Sequence, residues 1–260
     1  VTILNLEGLT LHFGGLTAVS EVDLSLNQGE LVGLIGPNGA GKTTIFNLLT
    51  GVYRPSAGTI TYTRDGAAFS LGRRWPHTIC RLGVARTFQN IRLFRNLTVI
   101  NNAMIAAQQL RRYGLPAAFM HIPPYGRRER EIRARSLELL AIMELADKAE
   151  ELAQNLSYGE QRRLEIVRAL ATEPTLLLLD EPAAGMNPAE TAELTGMIRQ
   201  LREDFDLTIL LIEHDMSLVM NICERIYVLD HGLVIAHGSP AEIQHNPKVI
   251  EAYLGEEVLL

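Results

Sequence analysis

The stretch "GPNGAGKT", Gly36 to Thr43, constrains this chain more than any other. It fits G-x-x-x-x-G-K-[ST], directly after the apolar run "LVGLI" and directly before a helical pattern over residues 42–50. Glycines let the backbone wrap with its N–H groups pointing inward, and a helix N-terminus adds favourable potential for phosphate. The candidate nucleotide-binding residues are therefore Gly36, Pro37, Asn38, Gly39, Ala40, Gly41, Lys42, Thr43 and Thr44. Lys42 suits the β- and γ-phosphates of a nucleotide, and the Thr43 hydroxyl suits Mg²⁺. A chance glycine-rich turn would not place strand, loop and helix in this order.

The rest of the chain agrees with an α/β fold. Short strands are expected at "TILNLEGLTLHF" (2–13), "VDLSL" (22–26) and "LVGLIG" (31–36), and "GTITYTRDG" (58–66) alternates like an antiparallel strand. From 92 to 172 the pattern is almost wholly helical, with apolar residues such as Leu137, Leu140 and Met143 at helical spacing. A breaker-rich insert, "YGLPAAFMHIPPYG" (113–126), interrupts it. Strand–helix alternation then resumes: strand 175–180, helix 188–204, strand 207–213, helix 216–222, strand 225–230. Its strands are continuously apolar, which predicts a parallel sheet buried on both faces. The expected organisation is a core in two parts (1–91 and 173–240), a helical block (92–172) and a helical tail (241–260).

Four further features carry chemistry. "LLLLDE" places Asp180 and Glu181 at the carboxyl end of a buried strand, where open α/β sheets put their ligands. Asp180 suits Mg²⁺ and Glu181 suits a general base for an attacking water. His214 ends the neighbouring parallel strand, from where an imidazole could reach the γ-phosphate. Phe13, in "LHFGG", is the best-placed aromatic for stacking on a purine, with core packing the alternative. "NLSYGEQRRLEI" reads as a helix opened by a capping box, Ser157 with Glu160. Its uncharged start with free N–H groups is itself a phosphate site. Gln89, in "RTFQN", carries almost no information by itself.

Bulk properties exclude several classes. A net charge of −6 argues against a general nucleic-acid binder. No apolar run reaches the length of a membrane span, and the first ten residues carry no signal-peptide pattern. Cys80 and Cys223 lie outside any C-x-x-C or His-rich context, so reduced thiols and a cytosolic setting are expected.

Taken in order, Phe13, "GPNGAGKT", Gln89, "LSYGEQ", "LLLLDE" and His214 resemble the motif series of the ATP-binding-cassette ATPases. The resemblance covers essentially the whole chain. "FGGLTAVSEVDL", "RTFQNIRLFRNLTVINN", "LLIEHDMSLVM" and "NPKVIEAYLGEE" resemble more narrowly the longer ATPase subunit of branched-chain amino acid importers. It implies a P-loop NTPase of this type, with a mixed or parallel core sheet, an antiparallel β subdomain and an inserted helical subdomain. It implies ATP and Mg²⁺ as cofactors, with Thr43, Gln89 and Asp180 at the metal and Glu181, His214 and Gln89 at the reaction. Two cassettes would pack head to tail, the second being a self copy or a related shorter subunit. Ser157, Tyr158, Gly159, Glu160 and Gln161 would then face the partner's ATP. The other implied partners are permease subunits in the membrane and, indirectly, a solute-binding protein. The chain would be cytoplasmic, peripheral on the inner face of the membrane.

Two departures stand out. The usual signature has Gly-Gly where this chain has Tyr158-Gly159, and Tyr158 is expected to point away from nucleotide. Asn187 stands where the family usually has aspartate, although Asn187-Pro188 is also a good helix N-cap and first-turn pair. The segment 111–135 holds seven arginines and reads as a solvated face, with permease or anionic lipid as the alternative contact. Three other readings compete with this one: a urea or short-chain amide importer, a soluble cassette ATPase of another assembly machine, and a P-loop small-molecule kinase. The kinase leaves the signature and His214 unexplained.

Overall fold

The computed structural model describes residues 1–108 and 124–257 of the chain. Most of the expected insert, with Arg111 and Arg112, lies outside the described residues. The chain opens with β1 (Thr2–Phe13), β2 (Leu16–Asn27) and β3 (Leu31–Ile35), then α1 (Lys42–Leu49), β4 (Ala57–Arg64) and β5 (Ala67–Ser70). Next come α2 (Pro76–Arg81), β6 (Val84–Arg86), α3 (Val99–Gln108), α4 (Pro124–Ile142) and α5 (Tyr158–Leu170). The last part runs β7 (Leu176–Asp180), α6 (Pro188–Asp204), β8 (Thr208–Ile212), α7 (Met216–Ile222), β9 (Arg225–Asp230) and β10 (Leu233–Gly238). Two short helices follow, α8 (Pro240–Gln244) and α9 (Pro247–Glu257).

These strands form two sheets. One is antiparallel in the order β2-β1-β4-β5; the other runs β10-β9-β3-β8-β7-β6. In the second sheet the β9–β3, β3–β8, β8–β7 and β7–β6 pairs are all parallel, and only β10 is antiparallel, to β9. Side-chain alternation explains why its strands are apolar throughout. Leu177 and Leu179 of β7 face the helices, while Leu176 and Leu178 face the antiparallel sheet. The same split divides Ile209 and Leu211 from Leu210 and Ile212 on β8. A strand buried on both faces leaves no polar side to solvent.

The sequence missed β5, α2, β6 and β10, all short, and placed β2 too late. Its helical reading of 92–172 was too generous at both joints. Residues 92–98 are not helical, and Thr98 pairs with Leu152 in an isolated antiparallel bridge. By contrast α6 and α7 fall where expected, because each opens on a side-chain cap: Asn187 and Asp215.

The carboxyl ends of β3, β6, β7 and β8 converge on one edge of the sheet, where loops carry the candidate site. No helix among the described residues is long and apolar enough to cross a membrane.

Candidate nucleotide-binding site

The phosphate loop is a product of backbone crowding. Gly36, at φ +148°, passes so close to the β9 end that a Cβ there would meet Leu229 O at 2.0 Å. Gly41, at φ +104°, opens α1 with no side-chain cap, and a Cβ there would meet Ala18 O at 2.8 Å. Only glycine fits both places. The loop is pinned from outside by the Gly232 N–H, which donates to Ala40 O at 2.9 Å. Lys42 is buried, and its ammonium donates to Gly36 O at 2.6 Å and Pro37 O at 2.8 Å. The charge therefore stands over the loop that would bind phosphate.

A cleft of about 560 Å³ opens at this loop, lined by Asn38 to Thr44, Leu16 to Ala18, Gln89, Glu181, His214 and His231. Glu181 is the hub. Its Oε2 accepts from Gln89 Nε2 at 2.8 Å, and its Oε1 lies 2.7 Å from His214 Nε2. With the proton on Nε2 the ring donates to the carboxylate. The Glu181 backbone sits at φ +49°, the left-handed region that a side chain rarely adopts, and its N–H donates to Ile212 O at 2.8 Å. Such strain persists only where the surroundings over-determine it. Here the support comes from Glu213, which is buried and accepts from the Ala183 N–H at 2.7 Å and the His214 N–H at 3.0 Å. Burial pushes the Glu213 carboxyl up from its ordinary value, and those backbone donors oppose the rise.

Asp180 lies at the end of β7, 1% exposed. Its Oδ2 accepts from Arg86 Nη2 at 2.7 Å, and its N–H donates to Thr87 Oγ1 at 3.1 Å. Burial raises its carboxyl pKa, and Arg86 pulls it back down. Arg86 also donates to Asn47 Oδ1 on α1 at 2.7 Å, tying the β7 end to the helix of the phosphate loop. Asp180 Oδ1 is buried with no hydrogen-bond partner among the described residues. A hard-oxygen set of the Thr43 hydroxyl and this carboxylate suits Mg²⁺, which keeps water and phosphate oxygens as its remaining ligands.

Phe13 does not line the cleft. It sits half exposed across the hairpin from Leu16, which does, and packs edge-on against Tyr53 at 5.1 Å. Asp180, Gly36 and Pro37 do not line the cleft. None of Ser157, Tyr158, Gly159, Glu160 and Gln161 lines it either. Ser157 caps α5, with the Glu160 N–H 3.4 Å from its Oγ and its own N–H donating to Glu160 Oε2 at 2.8 Å. Tyr158 turns back onto its own chain, its hydroxyl accepting from Arg162 Nη2 at 2.8 Å. Asn187 accepts from the Ala189 and Glu190 N–H groups at 2.9 and 3.0 Å, so its capping role is complete.

Sequence reasoning did not find Arg86, Thr87, Arg162, Glu165 or Glu213. Arg86 had a weak signal: it is the lone cation in the stretch Leu82 to Phe88, and a buried arginine needs partners.

This site, on this fold, is that of a cassette ATPase, and the comparisons with known proteins agree. A profile described as "ABC transporter" matches residues 19–184, well over half of the chain. The chain belongs to the ABC transporter family. Its nearer likenesses are narrower. It is 50% identical to the high-affinity branched-chain amino acid transport ATP-binding protein LivG of Salmonella typhimurium, over 98% of both chains. It is 46% identical to BraF of Pseudomonas aeruginosa, a protein of the same description, again over 98% of both. A second profile, of the branched-chain amino acid ATP-binding cassette transporters, matches residues 234–258. Among solved structures, the ADP conformation of MJ1267, an ATP-binding cassette of an ABC transporter, superposes with a TM-score of 0.84. That pair is 28% identical and covers 98% of this chain and 99% of the other.

Proposed function

We propose that this chain is the ATP-hydrolysing subunit of an importer for branched-chain amino acids. The observation that carries the activity is the grip on Glu181, held by Gln89 and His214 in a cleft whose floor is the phosphate loop. ATP is the ligand and Mg²⁺ the metal, with Lys42 and the loop N–H groups on the phosphates and Thr43, Asp180 and Gln89 at the metal. When bound, Mg²⁺ supplies charge neutralisation on the phosphates. Glu181 orients and deprotonates the attacking water, and His214 and Gln89 fix its carboxylate. Phe13 stacks on the base from the hairpin beside the cleft.

The segment Ser157–Gln161 does not reach the cleft of its own chain, which fits a role against a partner's ATP. Two cassettes would close head to tail on two ATP molecules and reopen after hydrolysis. ATP drives this cycle because it binds the closed pair better than the open one. The core (1–91 and 173–240) carries the nucleotide, the helical block (92–172) meets a permease, and the tail is 241–260. The chain would work at the inner face of a membrane, attached through that permease.

The solute is argued from degree of likeness. LivG is 50% identical, whereas LptB of Escherichia coli, a lipopolysaccharide export system ATP-binding protein, is 36% identical over a similar span. The match at 234–258 points the same way. Purification of the complex from its native membrane should recover a permease with this chain, and the reconstituted complex should take up leucine, isoleucine or valine on addition of ATP. Uptake of another solute alone would overturn the solute. A complex without any permease would overturn the importer.

A further inference from the structure

We propose that Tyr158 and Arg162 form a tie that positions Gln89 on Glu181 within the same chain. The inference rests on the ATPase reading above and deepens it: it assigns a cis role to a side chain whose segment faces the partner.

The loop carrying Gln89 follows β6 and belongs to no ladder, so its backbone needs other partners. One guanidinium supplies them. Arg162 Nη1 donates to Phe88 O at 2.7 Å, and Nη2 donates to Gln89 O. Glu165, one turn further along α5, accepts from the Phe88 N–H at 3.2 Å and the Arg92 N–H at 3.4 Å. The backbone that aims the Gln89 amide at Glu181 is thus held by side chains of α5.

Arg162 is itself placed by two groups. Glu165 Oε2 lies 3.4 Å from its Nη1, and Tyr158 Oη accepts from its Nη2 at 2.8 Å. The guanidinium also lies over the Tyr158 ring, 5.3 Å from its centre. Arg162 is only 2% exposed, and its Nε has no partner among the described residues. So large a buried cation with an unmet donor depends on each bond it does make.

The same Tyr158 ring lies beside a second loop next to Glu181. Gly185 follows Glu181 by one turn, at φ +79°, and a Cβ there would lie 3.2 Å from Tyr158 Cε1. One aromatic side chain therefore spans the two loops that flank the carboxylate. It reaches one through Arg162 and fills the space that a side chain at Gly185 would take on the other. Neither group touches the reacting atoms, so both are positioning residues.

The test uses ATP hydrolysis by pairs of differently tagged full-length chains. Tyr158→Phe keeps the ring and removes the hydroxyl. It should lower kcat about tenfold, the loss of one hydrogen bond to a charged group, with KM for ATP within about twofold. Arg162→Lys should give the same split. Mixed pairs then locate the effect. With Glu181→Gln in one chain, Tyr158→Phe should slow hydrolysis only when it sits in the chain that keeps Glu181. Slowing only from the Glu181→Gln chain would mean that Tyr158 acts in trans, which overturns the tie and leaves the ATPase reading intact. No hydrolysis by wild type, either as this pair or in the complex with its co-purified partner subunit, would sink that reading instead. In either case amide exchange on the isolated chain tests the tie. Tyr158→Phe should raise exchange across residues 88–92, and unchanged exchange there in both variants would overturn it.

Discussion

Glu181 shows how much one side chain depends on its backbone. At φ +49° its carboxylate leaves the end of β7 toward Gln89 and His214, and its N–H is held by the next strand. Glu181→Gln conserves shape and removes the basic oxygen. The variant should bind ATP as wild type does, hydrolyse it roughly 10²–10⁴-fold more slowly, and accumulate as an ATP-bound dimer visible by light scattering. Hydrolysis at the wild-type rate would remove Glu181 from the role of general base. Cys223 belongs to the same scale. Burial pushes its thiol up to about 12, so the thiolate is scarce and the sulfur is shielded. Iodoacetamide should modify Cys80, which is partly exposed, well before Cys223, with mass spectrometry of digested protein as the readout.

At the scale of the element, caps and buried charges act on helices. Asn187 opens α6 with a capping box, its N–H donating to Glu190 Oε2 at 2.9 Å. Asn187→Ala should cost about 1 kcal/mol of stability, read as a lower denaturation midpoint, whereas Asn187→Asp should hold it. Helix α5 carries a different load. Burial pushes the Glu165 carboxyl up from its ordinary value, while Arg162 pulls it down. A carboxyl raised on folding holds its proton more tightly in the folded chain. The stability it contributes is present at acid pH and is lost as the pH rises through the raised value. Glu165→Gln removes that titration, so as the pH rises above the ordinary carboxylate range its midpoint should gain on that of wild type. Parallel curves would show that Glu165 titrates as an ordinary carboxylate.

For the whole molecule, the surface of α4 offers a test of where contacts matter. Arg127 is 82% exposed and bridges Glu131 one turn along, the arrangement of a solvated helix face. Reversal of Arg127 and Arg128 to glutamate should leave complex assembly and transport unchanged, measured by co-purification and vesicle uptake. Loss of either would make this face a permease or lipid contact.

The sequence by itself determined what is local. Gly36 to Thr43, with a strand before and a helix after, needs only neighbours in the chain to declare a phosphate loop. Asn187 and Ser157 cap their helices through residues three positions away, and continuous leucines report a strand covered on both faces. Tertiary structure decided the rest. Gln89 meets Glu181 across 92 positions, and His214 meets it across 33. Those meetings depend on the strand order β3-β8-β7-β6, which no short-range periodicity encodes. Arg162 on the Gln89 loop was equally hidden, and Arg86 on Asp180 nearly so. A cation reveals its partner only once folding has removed the water that would otherwise solvate both.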